Sequence, residues 1–457
     1  MPLMVSISGI RGIVSDGLTP QVIVDFVSAY ATWARQASQT DQPTIILGRD
    51  SRVTGKMVSE LVSSTLNWSG CHVIDLGVVP TPTVQVAVEH FSAQGGIIVS
   101  ASHNPAEWNA LKLLNGTGEF MSPEEGETLL AIKNTGNFHF SAWNQTGSFK
   151  KIRDFHQHHI ETLLSFPFID YSAIRKAGFK VVVDGVEGAG SVALPMLLEK
   201  LGCTVIRMNC GASGLFPHTP EPLPQNLTGL MERVVSEKAD LGLALDPDAD
   251  RLAAIMENGE PFGEEYTITA ATDYFLKHKK GDVVVNLSTT RAVADVARRH
   301  GTKCHYSKVG EINVVKMMQE TGAVIGGEGS GGVILPDSHY GRDSLVAALL
   351  IIAWLADGKK PVSELRKGLP FYEMAKKKVD LGTQSPDPVI EQVRKSLQGT
   401  PMDTRDGLKI DFPDRWVHLR KSNTEPIIRI YTEAPTAAEA EKLASEFVEK
   451  IRSLVQS

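Results

Sequence analysis

Three short polar segments, far apart in the chain, carry residue types that together could move a phosphoryl group. Ser-Ala-Ser-His-Asn-Pro at 100–105 offers the hydroxyl of Ser102 on a turn. Pro105 enforces that turn by disfavouring helix at Asn104. Asp-Pro-Asp-Ala-Asp-Arg at 246–251 offers the carboxylates of Asp246, Asp248 and Asp250 to a hard cation. Gly-Glu-Gly-Ser-Gly-Gly at 327–332 puts Glu328 and Ser330 on a loop rich in glycine, suited to holding sugar hydroxyls; a glycine-rich phosphate cradle is the alternative, and Glu328 argues against an anion there.

Each segment has rivals. A hydrolase serine wants Gly-x-Ser-x-Gly, and Ser102 is flanked instead by Ala101 and His103, an adjacent histidine poorly placed to serve as its base. A phosphoryl acceptor beside a metal suits it better; a serine that satisfies a turn is the plain alternative. Along a straight strand, alternate residues lie about 7 Å apart. Mg²⁺ binds oxygen at about 2.1 Å, so the Asp segment must curl to hold it. A calcium loop of the EF-hand type competes, because Glu257 stands twelfth from Asp246; Arg251 occupies the sixth position, where such a loop needs Gly. Lys112, on the returning Trp-Asn-Ala-Leu-Lys stretch, could stabilise transferred charge or, with a lowered pKa, carry a proton. It could equally be a surface lysine. Near the end, Arg420 and Arg429 with Ser422 and Thr424 crowd a turn of good donors for a non-reacting phosphate, with a solvated hairpin as the alternative.

The three segments follow the apolar runs 95–99, 241–245 and 323–326. A polar loop after a buried strand is where an open α/β sheet receives its ligand. β-branched runs at 44–48, 181–185 and 283–287 open units that repeat one pattern of strand, helix and Gly-led second strand. One βαβ module used three times is predicted. From about 371 the pattern becomes strand 375–381, helix 388–397, strands 407–412, 415–420 and 426–432, and helix 437–455. The expected organisation is α/β: three related domains with mixed, mostly parallel sheets, then a smaller C-terminal α+β domain. Boundaries fall at 1–145, 146–255, 256–368 and 369–457, with turn-rich linkers at 134–147, 357–361 and 368–370.

At 457 residues the chain is too long for one core. Its formal charge of −7 argues against a nucleic-acid surface, so an anionic substrate needs local Arg and Lys. Cys71, Cys203, Cys210 and Cys304 lack metal-type spacing and read as reduced thiols of a cytoplasmic protein. The longest apolar stretch, 345–356, is too short to span a bilayer and reads as a buried helix.

Together these motifs, with Ser-Gly-Ile-Arg-Gly at 8–12 and Arg-Lys-Ser-Asn-Thr-Glu-Pro at 420–426, resemble the α-D-phosphohexomutase family along the whole chain. The resemblance implies a phosphoserine domain, a metal-binding domain, a sugar-binding domain and a phosphate-binding domain around a central cleft. It implies a phosphorylated Ser102, and Mg²⁺ held by Asp246, Asp248, Asp250 and an oxygen on Ser102. Phosphoryl exchange would run through a hexose 1,6-bisphosphate, which also serves as activator. It assigns Glu328 and Ser330 to sugar hydroxyls, and Arg420, Ser422, Asn423, Thr424 and Arg429 to the distal phosphate. Arg11, Lys112 and Arg251 supply positive charge at the reacting group, and His103 joins the catalytic set.

One departure is Gly332, where many relatives carry a His that could accept the sugar proton; Lys112 or His339 could cover that step. The other is Asn-Ala-Leu-Lys at 109–112 in place of Asn-Gly. The similarity leans to phosphoglucosamine mutases, then to phosphoglucomutase/phosphomannomutase; a non-catalytic sugar-phosphate binder is the reading from another class. A monomer or homodimer is expected, with no nucleic-acid or membrane partner.

Overall fold

The computed structural model describes residues 3–6, 9–382, 384–397, 399–421 and 427–456. The chain forms two compact units, one of residues 1–279 with 330–366, the other of residues 280–329 with 367–457.

In the first unit the strand Thr44–Arg49 lies between His72–Val78 and Gly95–Val99, all three parallel. Gly95–Val99 is buried along its whole length, as a strand covered on both faces requires, which is why it reads as an unbroken apolar run. Trp108–Leu114 returns antiparallel beside it, with Lys112 opposite Ile98, and Gly9–Val14 adds the next antiparallel strand. A second sheet repeats the plan: Lys180–Asp184 lies between Thr204–Met208 and Leu241–Leu245, all parallel, and Leu252–Met256 returns antiparallel. In the second unit Val283–Asn286 lies between Cys304–Ser307 and Ile325–Glu328, again all parallel. The connecting helices correspond too: Gly55–Trp68, Gly190–Lys200 and Ala292–Arg299 follow the first strand of each set, while Thr81–His90, Thr228–Glu237 and Glu311–Thr321 follow the second. The predicted threefold repeat is therefore present in the topology, and each polar segment leaves the third strand of its set.

The second unit also holds an antiparallel sheet in the order Glu373–Asp380, Ile427–Ala434, Trp416–Lys421, Leu408–Asp411 and Met402–Asp403, with helices Pro386–Ser396 and Ala437–Gln456. This is the predicted α+β segment. Two strands are additional. Met402–Asp403 is too short to carry a pattern. Phe149–Lys151 pairs parallel with His72–Val78, which carries the first sheet past the expected boundary at 145. Its Phe-Lys-Lys sequence has no apolar alternation to announce it.

The four cysteines are unpaired, and burial pushes the Cys71 and Cys203 thiols up to about 12. The apolar stretch is the buried helix Ser344–Gly358, and among the described residues no helix is long and apolar enough to cross a membrane. Asp343 starts that helix: its Oδ1 accepts from the amides of Leu345 at 2.8 Å and Val346 at 3.3 Å. Its Oδ2 meets His159 Nε2 at 2.9 Å and His339 Nε2 at 3.3 Å, and His159 Nδ1 meets Thr83 Oγ1 at 3.1 Å. One buried carboxylate thus ties a helix start to the hairpin strand His339–Arg342 and the helix His156–Leu163. Burial alone would raise its pKa, but the two imidazoles hold it well below the usual carboxylate range. A carboxyl with a depressed folded-state pKa adds stability above the unfolded value of about 3.9 and loses it as pH falls. Asp343→Asn is therefore expected to cost about 3 kcal/mol in urea unfolding at pH 7, with the gap to wild type narrowing on acidification.

Candidate functional site

The Ser102 turn is built from beneath by Asp50 and Arg52, both buried. Arg52 Nη2 donates to the carbonyls of Ser102 and Asn104, each at 2.6 Å, and Nη1 to those of Pro105 at 2.5 Å and Trp108 at 3.2 Å. Its Nε binds Asp50 Oδ2 at 3.0 Å. Ser100 Oγ donates to the same carboxylate at 2.7 Å and accepts the Ser102 amide at 3.0 Å. The backbone at Ser102 has φ +50°, in the left-handed region that costs an L-residue about 1 kcal/mol. These bonds hold it there.

Ser102 Oγ donates to Asp246 Oδ2 at 3.0 Å and meets His103 Nδ1 at 3.4 Å. The acidic segment curls as it must: Ala249 adopts φ +54°, and the amides of Asp250 and Arg251 turn back to Asp246 Oδ1 at 3.2 and 3.3 Å. One oxygen of each of the three aspartates lies within 4.8 Å of the others, and all three are fully buried. Thr81 grips Asp248 twice, with its hydroxyl on Oδ2 at 2.6 Å and its amide on the carbonyl at 2.8 Å. Lys112 Nζ also donates to Asp248 Oδ2, at 2.5 Å, and lies 3.7 Å from Asp250 Oδ2. Arg342 Nη2 reaches Asp250 Oδ2 at 2.6 Å. Arg251 Nε lies 3.7 Å from Asp250 Oδ1, and Arg11 Nη1 donates to Asn104 Oδ1 at 3.3 Å.

The electrostatics describe a site that is short of positive charge at its centre. Burial, then the charges of Asp250 and Asp248, raise Asp246 well above the ordinary carboxylate range. Asp248 Oδ1 and Asp250 Oδ1 are buried without a hydrogen bond. Three converging carboxylates with two oxygens left open fit a hard divalent cation with oxygen ligands. Burial alone would lower the Lys112 pKa, but Asp248 and Asp250 raise it overall. Facing those two carboxylates, Lys112 is held as an ammonium. Burial, reinforced by Arg251 and Arg11, pushes His103 down to about 3, so its ring is neutral at pH 7.

The calcium-loop alternative fails. Glu257 accepts from the Ser363 amide at 3.1 Å and from its hydroxyl, and both flanks, Leu241–Leu245 and Leu252–Met256, are strands. His339, an expected candidate for proton transfer, is committed to Asp343 in the buried trio with His159.

In the second unit Glu328 Oε1 accepts from Asn286 Nδ2 at 2.8 Å and from the Gly310 amide at 3.0 Å. The neighbouring Val309 amide binds Asp406 Oδ2 at 2.9 Å, and the same oxygen accepts Arg420 Nε at 3.1 Å. Glu328 and Arg420 are thereby linked through one turn. Arg429 is the ladder partner of Arg420 on one side and of Lys378 on the other, which makes a cross-strand row of three cations. Ser330 is half-buried and belongs to the first unit. Ser8, Ser422, Asn423 and Thr424 lie outside the described residues.

Arg52, Asp50, Thr81 and Arg342 were not anticipated. For the first two a signal existed: Gly-Arg-Asp-Ser-Arg at 48–52 also follows a buried apolar run.

Four domain profiles of one family match the chain in order. Phosphoglucomutase/phosphomannomutase alpha/beta/alpha domain I covers residues 4–139, domain II 157–259, domain III 263–371 and the C-terminal domain 362–450. The chain belongs to this family of phosphohexomutases. A phosphoglucomutase/phosphomannomutase of Thermococcus kodakarensis is 38% identical over 446 residues, 96% of each chain. A probable phosphoglucosamine mutase of Methanopyrus kandleri is 33% identical over 453 residues, 98% of each. Among solved structures, a phosphoglucomutase/phosphomannomutase family protein from Burkholderia thailandensis superposes with a TM-score of 0.84 at 25% identity, covering 98% of both chains.

Lysine cannot reproduce the planar fork of Arg52. Arg52→Lys is expected to cost about 3 kcal/mol in urea unfolding. Arg405→Lys, at a half-exposed pair with Asp403, should stay under about 1 kcal/mol.

Proposed function

We propose that this protein interconverts hexose 1-phosphates and hexose 6-phosphates by passing a phosphoryl group through Ser102. The observation that carries the reading is Ser102 Oγ set 3.0 Å from Asp246, at the edge of a carboxylate cluster with open oxygens. Asp246, Asp248 and Asp250 would hold Mg²⁺, together with an oxygen on phosphorylated Ser102. A cation there would draw charge from the phosphoryl oxygens during transfer.

In the first half-reaction a sugar hydroxyl attacks the phosphorus carried on Ser102. The P–Oγ bond breaks, the sugar hydroxyl loses its proton, and Ser102 Oγ takes one up. The resulting hexose 1,6-bisphosphate turns end for end. Ser102 Oγ then attacks the other phosphoryl, the bond from phosphorus to the sugar oxygen breaks, and that oxygen regains a proton. The same bisphosphate, supplied from solution, would reload an unphosphorylated serine and act as activator. Such transfer depends on positioning and on charge neutralisation. Lys112, as a fixed ammonium, with Arg11 and Arg251, supplies positive charge around the reacting group. His103, neutral beside Ser102, completes that set.

Glu328 and Ser330 are assigned to sugar hydroxyls. Arg420 and Arg429, with Ser422, Asn423 and Thr424, are assigned to the non-reacting phosphate. The cation row through Arg429 supports this: among the described residues Asp406 meets Arg420 alone of the three, and like charges directly opposite each other favour a further anion. Similar relatives are named both phosphoglucomutase/phosphomannomutase and probable phosphoglucosamine mutase, so glucosamine, glucose and mannose phosphates are all candidate substrates. Unpaired thiols suit action in the reducing cytoplasm.

The test is initial rates with Mg²⁺ and a hexose 1,6-bisphosphate on glucose 1-phosphate, mannose 1-phosphate and glucosamine 6-phosphate. Activity is expected on at least one sugar, lowered about a thousandfold or more in Ser102→Ala. No rate on any sugar would leave a sugar-phosphate binder in place of an enzyme. Lys112→Met should retain substrate binding and lose about a hundredfold in kcat, read from the split between KM and kcat.

A further inference from the structure

Every carboxylate of the acidic segment has at least one oxygen already engaged by the protein, and Asp246 has both. In Asp246, Oδ1 takes two backbone amides and Oδ2 takes Ser102. In Asp248, Oδ2 takes Thr81 and Lys112 and leaves Oδ1 open. In Asp250, Oδ2 takes Arg342 at 2.6 Å and likewise leaves Oδ1 open.

Arg342 comes to Asp250 from the hairpin strand His339–Arg342, and its position is strongly determined. The next residue, Asp343, is anchored by His159 and His339, and Ser344 Oγ donates to the Ala249 carbonyl in the acidic loop at 2.6 Å. The arginine's aliphatic stem crosses the α-carbon of Gly332, which opens the strand Gly332–Leu335 paired antiparallel with His339–Arg342. A Cβ at 332 would fall well inside contact distance of Arg342 Cδ and Cγ. Glycine at 332 is what lets the guanidinium reach Asp250.

We propose that Arg342 makes the cation site select a small six-coordinate ion such as Mg²⁺ against Ca²⁺, by occupying one oxygen of Asp250 and limiting that carboxylate to a single ligand atom. The inference rests on the reading of the three aspartates as a cation site. Mg²⁺ demands a compact octahedron, whereas Ca²⁺ takes six to eight oxygens and accepts bidentate carboxylates. Groups bonded to the ligands commonly tune such sites as much as the ligands themselves.

The test is titration calorimetry of the metal-stripped full chain with MgCl₂ and with CaCl₂, for wild type, Arg342→Gln and Arg342→Met. Thermal unfolding of each variant reports whether it is folded. Losing the guanidinium charge raises affinity for both ions in both variants, so the readout is the ratio of the two affinities. The glutamine amide ends where the arginine Nε stood and falls short of Asp250 Oδ2, so both glutamine and methionine free that oxygen and should move the ratio towards Ca²⁺ about tenfold. A wild type that binds neither ion overturns the cation site itself. A wild type that binds Mg²⁺, with an unchanged ratio in Arg342→Met, overturns the role of Arg342 alone. Should Arg342→Met fail to fold, Gly332→Ala displaces the same arginine from Asp250 while keeping its charge, and the same shift in ratio is expected.

Discussion

The buried guanidinium of Arg52 is the interaction on which the reactive end of this molecule depends. Four carbonyl oxygens of the segment 102–108 converge on this one buried side chain, and leaving them unpaired would be costly. Arginine alone among side chains offers five N–H groups in a rigid plane. Here four of the contacts go to the turn and one to Asp50, whose carboxylate meets the charge. Asp50 passes the constraint on through Ser100 to the amide of Ser102. The hydroxyl therefore stands where the turn puts it, and the turn stands where Arg52 holds it.

A second balance is electrostatic, and it is local. The chain as a whole is acidic, yet positive groups gather around its most buried carboxylates. Lys112 faces Asp248, and Arg342 faces Asp250 with Arg251 nearby. Lys112 and Arg342 bind one oxygen of each carboxylate, and Asp248 Oδ1 and Asp250 Oδ1 are left without a hydrogen bond. Asp246, with no ion-pair partner of its own among the described contacts, bears the excess and is the hardest of the three to ionise. Such a cluster is uncomfortable by itself and relaxed by one further divalent charge, which is the condition a reversible cation site should meet.

The threefold architecture and the residues that face chemistry directly could be read from the sequence. Ser102, the three aspartates and Glu328 sit at fixed offsets after apolar runs, and the roles proposed for them belong to their own side chains. Arg52 and Arg342 were hidden because they act through something else. One binds carbonyls about fifty residues along the chain, the other a carboxylate about ninety residues back. Nothing at those spacings marks a partner until the sheets bring the segments together. Lys112 was visible as a position, but its ionisation depends on two aspartates from another sheet. The strands Phe149–Lys151 and Met402–Asp403 are held by neighbours and have no pattern of their own. Gly332 stood out as a departure, and its meaning emerged only with the arginine lying across it.

That glycine has a consequence for how such chains diverge. A side chain at 332 and a long arginine at 342 contend for one volume, so neither position is free to drift alone. A lineage passing from one arrangement to the other has to cross an intermediate that is overpacked or that lacks a cation at Asp250. A chain with a larger residue at 332 should then carry a shorter one at 342, or hold its arginine away from the acidic loop.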